Sequence, residues 1–343
     1  MDIKEIKKNA KERMKDFCIL CPECNGRWCA GKVPGMGGAI SGGSFQRSYE
    51  KLKEVKIAMR TLHGVTDPKL KCNFFGEELS FPAMIAPITG TKFNMGGYVS
   101  DEEYSNDIVF GAIDAGTIAM IGDTGDPNCF QVGIDAIKKA NGKGIAIIKP
   151  RENSEIIKRI KLAEEAGAIA VGIDVDGAGL VTMKLFNQPV GPKTLNDLKE
   201  IISSTKLPVI IKGILTVDEA KICVNAGASA IVVSNHGGRC LNETFAPAEV
   251  LQEISKAVGN DITILADGAV REGVDILKYL ALGADGVLIG RPIIWGSIGG
   301  RQEGVKITLE TFKSQLYQSM ILSGADDVKN FKSFSCILYT KKV

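Results

Sequence analysis

The sequence predicts one closed (β/α)8 barrel, and an internal repeat together with the apolar runs that fill its gaps predicts it. Four segments share the order helix end, glycine, apolar run: DAGTIAMIG from Asp114, EAGAIAVGID from Glu165, NAGASAIVVSN from Asn225 and ALGADGVLIG from Ala281. In each, glycine stands where a helix C-cap needs a left-handed residue, and a short buried strand is expected after it. Successive copies lie roughly fifty to sixty residues apart, about twice one βαβ step. A further strand is therefore expected between neighbours. KGIAIIKP from Lys143, LPVIIKG from Leu207 and DITILADG from Asp261 supply it, and FPAMIAP from Phe81 supplies a first strand. Eight runs with few polar breaks suit strands buried on both faces. Amphipathic stretches at 154–166 and 217–226 separate them with helical spacing. Eightfold alternation points to a closed parallel barrel. A doubly wound open sheet is the alternative; it usually carries a Gly-rich dinucleotide turn after its first strand, and APITGTKF is not one.

The 343 residues, 45% of them hydrophobic and 24% charged, suit one barrel plus an extension, with a core large enough to need no staples. Residues 1–75 form the extension, with a short amphipathic helix at 4–17 and a Gly-rich loop at 31–44 (GKVPGMGGAISGGS) over the barrel mouth. Residues 76–325 form the barrel, closed by a helix at 304–322, and 326–343 form a tail. A net charge of +2 argues neither for nucleic acid nor for a membrane surface. No stretch is apolar for long enough to span a bilayer, and the basic start MDIKEIKKNAKERMK lacks the apolar core of a signal peptide. A cytoplasmic location is expected. Nine cysteines, four of them crowded at 18–29, fit a reducing compartment better than a disulfide framework.

In such a barrel, function collects at the strand C-termini. Pro87, Ile88 and Thr89 follow the first run, and Gly122 and Asp123 the second. Lys149 ends the third, the fourth carries Asp174 and Asp176, and Lys212 ends the fifth. The sixth leads into Ser234, Asn235, His236, Gly237, Gly238 and Arg239. The seventh gives Asp267, Gly268 and Arg271, and the eighth Gly290 and Arg291. One buried lysine at a strand end is an ordinary structural ion pair; a ring of charges around one mouth reads as an active site. Of the two histidines, His236 lies in that ring, and His63, in MRTLHGV, reads as a structural or surface residue. ADGAVREG and LIGRP place small residues where backbone N–H groups approach an anion, with Arg271 and Arg291 for charge. The plainer reading is two tight turns with surface arginines.

SNHGGR, VIIKG, FPAMIAP and ADGAVREGVDILKYLALGADGVLIGRP resemble the FMN-dependent α-hydroxy-acid oxidase and dehydrogenase family, over about residues 45–325. The resemblance implies that His236 is the base taking a proton from substrate and Asp176 the carboxylate that steadies the imidazolium. It implies that Arg239 binds the substrate carboxylate and that Lys212 lies beside flavin N1 and O2. Pro87, Ile88 and Thr89 are implied to face the flavin, with Gly122, Asp174 and Ser234 among its contacts. Asp267, Gly268, Ala269, Arg271, Gly290 and Arg291 are implied to hold ribityl and phosphate. A small-molecule substrate, an electron acceptor of unspecified kind and a homo-oligomer, a tetramer, are further implications.

The departures from the family pattern are specific. Lys149 stands where a tyrosine is usual, and Ile147 where a glutamine is usual. Met183 falls near the place of a missing second arginine, and an N-terminal tyrosine has no match. Asn242 replaces an aspartate and Ala269 a glycine. Oxidation of a 2-hydroxy acid to the 2-oxo acid is the expected activity. The alternative is a flavin-dependent isomerase or reductase on the same barrel. A flavin-binding protein without turnover is a third reading, against which His236, Lys212 and Asp176 speak. Lys149 either replaces the lost positive charge or marks a different substrate. Cys18, Cys21, Cys24 and Cys29 form C-x2-C-x2-C-x4-C. That spacing suits zinc or an iron–sulfur cluster, a redox-active thiol near the flavin, or a set of free thiols.

Overall fold

The computed structural model describes residues 1–329. Most of the expected tail, from residue 330, lies outside the described residues.

The chain starts with α1 (Ile3–Arg13), capped by the Asp2 carboxylate, which accepts the N–H groups of Lys4 and Glu5, both at 2.8 Å. Its apolar stripe buries Ile6 and Ala10, and Arg13 Nη1 donates to the Ile298 carbonyl at 2.7 Å. The extension is thereby tied to the last helix of the barrel. An irregular segment leads to α2 (Gly43–Glu54) and an antiparallel hairpin of β1 (Cys72–Phe74) and β2 (Glu77–Leu79).

The barrel strands follow: β3 (Ala83–Ile85), β4 (Met120–Ile121), β5 (Ile145–Ile148), β6 (Ala170–Asp174), β7 (Val209–Ile214), β8 (Ala230–Val233), β9 (Thr263–Ala266) and β10 (Gly286–Ile289). Each of the eight expected runs contains one. All pair in parallel, from β4 through β10 and on to β3. A bridge between Ile85 and Ala119, with the Ile85 N–H donating to Ile118 O at 3.0 Å, closes the ring. The repeat glycines take the left-handed conformation that predicted them: Gly116 at φ 73°, Gly167 at 77°, Gly227 at 86° and Gly283 at 108°.

Among the described residues, ten helices alternate with the strands or close the ring. They are α3 (Thr91–Asn94), α4 (Asp101–Asp114), α5 (Pro127–Lys139), α6 (Asn153–Glu165), α7 (Val181–Leu185), α8 (Leu195–Ser203), α9 (Val217–Ala226), α10 (Pro247–Val258), α11 (Gly273–Ala281) and α12 (Arg291–Ser323). Two helices differ from expectation. α1 stops at Arg13, four residues early. α12 begins at Arg291 rather than near 304 because it is two helices joined at Arg301, whose φ of 57° breaks the helical path. Arg301 is held there by Asp107 at 2.9 Å and Glu103 at 3.0 Å. The earlier start matters, because it points a helix N-terminus at the barrel mouth directly after β10. Among the described residues no helix is long and apolar enough to cross a membrane.

Candidate active site

The strand ends surround a cavity with ≈ 970 Å³ of empty space, counted out to solvent. Pro87, Ile88 and Thr89 line it beyond β3, Lys149 beyond β5 and Lys212 on β7. His236 and Arg239 enter from the turn after β8. Asp267, Gly268, Ala269 and Arg271 enter after β9, and Gly290 and Arg291 after β10. Gly35 and Met36 of the Gly-rich loop form the roof, so that loop does cover the mouth.

His236 sits in a short turn, His236–Gly238, at φ 57°. Its N–H donates to Ser234 Oγ at 3.0 Å, and its Nδ1 lies 2.8 Å from Asp176 Oδ1. Asp174 Oδ1 is 3.4 Å from the same nitrogen. Burial works against charge on this ring, but Asp174 first, then Cys240 and Asp176, push its pKa well above 6.5. The site thus favours the imidazolium, the state that follows proton abstraction. Asp176, in a 3-10 turn just past β6, does not itself line the cavity. Burial and the neighbouring Asp174 raise its pKa, against the pull of His236 and Lys212.

Asp174 holds the charges of the rim together. Its carboxylate accepts from Lys149 Nζ and, at 3.2 Å, from Lys212 Nζ. Burial alone would raise its pKa, but His236, Lys149 and Lys212 hold it well below the usual carboxylate range. Lys212 also reaches Ser234 Oγ at 3.1 Å and Asp267 Oδ2 at 3.7 Å. Burial opposes its charge, and Asp174, Asp176 and Asp267 outweigh burial and raise its pKa.

The structure changes the reading of several residues expected to touch cofactor. Gly122, Asp174 and Ser234 stand behind the cavity wall rather than in it. Gly122 packs where a Cβ would meet Pro87 O and Thr89 Cγ2 at 3.3 Å, while Asp174 and Ser234 orient Lys212 and His236. Arg291 lines the cavity, and its Nε and Nη2 are committed to the roof while Nη1 makes no such bond among the described residues. Its guanidinium donates to the carbonyls of Met36 at 2.9 Å, Gly37 at 3.3 Å and Gly237 at 3.1 Å and lies 3.7 Å over the Phe45 ring. It fastens the roof. Met183 is fully buried, and Leu180 and Thr182 present the wall there instead.

Asn94 carried no motif and was not legible beforehand. Its Oδ1 accepts from Gly35 N–H at 3.2 Å and from Arg239 Nη2 at 2.9 Å, and its Nδ2 donates to Thr89 O at 2.9 Å. Arg239 donates as well to the Gly35 carbonyl, which leaves its other N–H groups for a substrate carboxylate. Arg151, also unremarked, grips the buried Asp123 through two bonds of 2.9 and 3.1 Å.

The four N-terminal thiols do not make a metal centre. Among the described residues, the one group of three ligand atoms within 4.8 Å of one another is Asp176, His236 and Cys240. Cys18 is buried, and that burial pushes its thiol up to about 11; burial also raises the Cys21 and Cys29 thiols.

Buried polar atoms without partners test whether FMN fits. Asp267 Oδ1, an acceptor, and Arg271 Nε, a donor, are both buried and unpaired among the described residues. A ribityl hydroxyl and a phosphate oxygen would satisfy them respectively. Gly268 and Ala269 lie at φ 104° and 56°, a turn that exposes backbone N–H groups, and α12 starts after Gly290 with no side-chain cap. Burial, and then repulsion from Arg271, with Arg239 adding to it, depress the Arg291 pKa to about 10. A buried dianion relieves that crowding. The residues fit the cofactor.

A model of the FMN-dependent dehydrogenase family matches residues 35–188 and 179–337. The chain belongs to this family. A 2-hydroxyacid oxidase of Dictyostelium discoideum is 30% identical over 319 residues, covering 81% of this chain and 78% of that protein. An L-lactate oxidase of Lentilactobacillus hilgardii is 30% identical over 333 residues, covering 86% and 88%. Among solved structures, a mandelate oxidase with benzoyl-formic acid superposes with a TM-score of 0.79 at 26% identity, over 96% of each chain.

For an FMN-dependent dehydrogenase built this way, Arg271 offers phosphate its unpaired Nε, while Nη1 and Nη2 donate to the carbonyls of Val270 at 2.9 Å and Cys24 at 3.3 Å. Arg271→Ala is expected to weaken FMN binding by about 1.5–3 kcal/mol, the worth of a charge-assisted contact. Titration of flavin-free protein with FMN, followed by quenching of flavin fluorescence, measures it. Unchanged affinity would remove Arg271 from the phosphate site.

Proposed function

We propose that this chain oxidises a small 2-hydroxy acid to the 2-oxo acid. The observation that carries the reading is the His236–Asp176 pair at 2.8 Å, with the imidazole and the Arg239 guanidinium both in the wall of one cavity. The names of the relatives, 2-hydroxyacid oxidase and L-lactate oxidase, support it.

Bound FMN supplies the oxidant, taking up the two electrons and the hydrogen that leave the substrate. The protein does the rest. Arg239 binds the substrate carboxylate through the N–H groups that Gly35 and Asn94 leave open. His236 takes the proton, and Asp176, with Asp174 behind it, stabilises the positive ring that results. Lys212 supplies a fixed buried cation at the floor of the mouth. Gly35 and Met36 exclude water from above.

Lys149 is buried against Asp174, so its charge is largely neutralised before substrate arrives. The carboxylate therefore depends on Arg239, and the apolar Leu180 and Ile88 favour a substrate with an uncharged side chain. An anaerobic screen of glycolate, L-lactate and longer or aromatic 2-hydroxy acids, followed by flavin bleaching, tests this. At least one is expected to bleach the flavin within a catalytic time. No bleaching by any of them, with bleaching by dithionite intact, would favour the isomerase or reductase reading.

A further inference from the structure

His236 and Asp176 have a third neighbour, a thiol that carries no proton in the proposed reaction. Cys240 follows Arg239 in the turn after β8, half-buried, and its Sγ lies within 4.8 Å of a ring nitrogen of His236 and a carboxylate oxygen of Asp176. No other three His, Cys, Asp or Glu ligand atoms among the described residues come so close together. A second observation points to a ligand. Asp176 Oδ2 is buried and has no hydrogen-bond partner among the described residues, while Oδ1 of the same carboxylate is hydrogen-bonded to the histidine. An unsatisfied buried carboxylate oxygen costs free energy that a cation would recover.

We propose that Asp176, His236 and Cys240 form a site for one thiophilic divalent cation of the Zn²⁺ type, which switches the base off. The donor set is nitrogen, sulfur and oxygen. Three such protein ligands with an open fourth position make a tetrahedral zinc site. Donor atoms in that geometry stand about 3.3–3.8 Å apart, so the observed cluster needs only small side-chain rotations to close. The thiol selects against magnesium and calcium, which take oxygen ligands. Lys149 and Lys212 do not compensate the Asp176 charge by direct contact, because both ammonium groups are paired with Asp174.

The cation replaces the proton that His236 shares with Asp176. Binding releases protons from the thiol and from the ring nitrogen it occupies. With Asp176 and the imidazole both ligated, the ring loses its orienting partner and cannot stabilise a newly gained proton. Metal binding requires nothing of the reaction. The inhibition rests on His236 being the base, as proposed above.

The test uses the FMN-loaded full chain and Zn²⁺ alone, with two readouts. Equilibrium dialysis measures zinc bound, and anaerobic flavin bleaching by the substrate found in the screen measures the effect. In the parent, saturating Zn²⁺ is expected to slow bleaching at least about 10²-fold, the low end for loss of a general base, and EDTA is expected to restore it. Cys240→Ser is expected to keep the flavin spectrum, and its own metal-free rate serves as the baseline for its inhibition. It should lose one equivalent of bound zinc and keep bleaching at zinc concentrations that silence the parent. Cys21→Ser, a control in the N-terminal cluster, is expected to be silenced like the parent. Inhibition of Cys240→Ser at the parent's zinc concentration would overturn the proposal, as would relief of inhibition by Cys21→Ser. If zinc still depends on Cys240 in dialysis while metal-free His236→Asn bleaches at the parent rate, the site stands. The assignment of the base, and with it the inhibition, then falls.

Discussion

Replacing His236 with asparagine is expected to slow substrate-driven flavin reduction at least about 10²-fold while FMN stays bound. The side chain lies in the cavity wall, and its one ring contact is to Asp176, with Asp174 Oδ1 3.4 Å away. Nothing in the phosphate end of the cavity leans on it; Arg271 and the start of α12 are separate. Asparagine keeps a polar group near Asp176 but cannot take up a proton. Reduction by dithionite, which needs no base, is therefore expected to proceed at the parent rate in the same preparation. Asp176→Asn is expected to cost less than His236→Asn, since it removes the orienting charge and leaves the ring. A His236→Asn protein that bleaches with substrate as fast as the parent would show that another group takes the proton, and Lys149 would be the next to test.

The largest expected effect on stability lies one residue layer deeper. Asp174 is 3% exposed and is the shared counter-ion of two buried ammonium groups, Lys149 and Lys212. Asp174→Ala takes the counter-ion from Lys149 and leaves Lys212, for a counter-ion, only the longer contact to Asp267 at 3.7 Å. Breaking a buried pair from one side typically costs about 3–5 kcal/mol, because the stranded charge has no water to return to. Urea unfolding at pH 7 should show that loss as a lower midpoint at unchanged slope. Asp174→Asn, which keeps the shape and an acceptor, should lie between the two. An Asp174→Ala midpoint equal to the parent's would mean that the lysines find other partners.

The barrel was legible because its signals are local. A glycine that caps a helix and an apolar run after it are written within ten residues, and the repeat glycines do take positive φ. The rim was legible for the same reason, since a residue at a strand C-terminus points towards the mouth or directly behind it. Which of these two was not legible. Asp174 and Ser234 sit at strand ends and were expected to touch cofactor, yet they back up Lys212 and His236. Arg291 shows the larger limit. Its position after β10 was readable, but its direction is set by carbonyls at Met36 and Gly37, more than two hundred residues earlier. Asn94 joins three segments that no motif connects. The cysteine spacing matched a metal motif, but no three of those thiols are gathered within reach of one ion.

The roof over the mouth has a consequence for how the cofactor comes and goes. Its glycines leave few side chains to pack. It is held instead by discrete polar ties: Gly31 N–H to Gly38 O at 3.0 Å, Ala39 N–H to Gly238 O at 2.8 Å, and the two arginine clamps from Arg239 and Arg291. Such a segment can let go as a unit while the strands beneath it stay folded, because it is held by a few polar ties and by the buried side chains of Met36 and Ala39. Flavin retention is then a kinetic property as much as an affinity. The rate of escape is then expected to follow the opening of residues 31–42, with mild denaturant stripping the colour from the protein before the barrel unfolds.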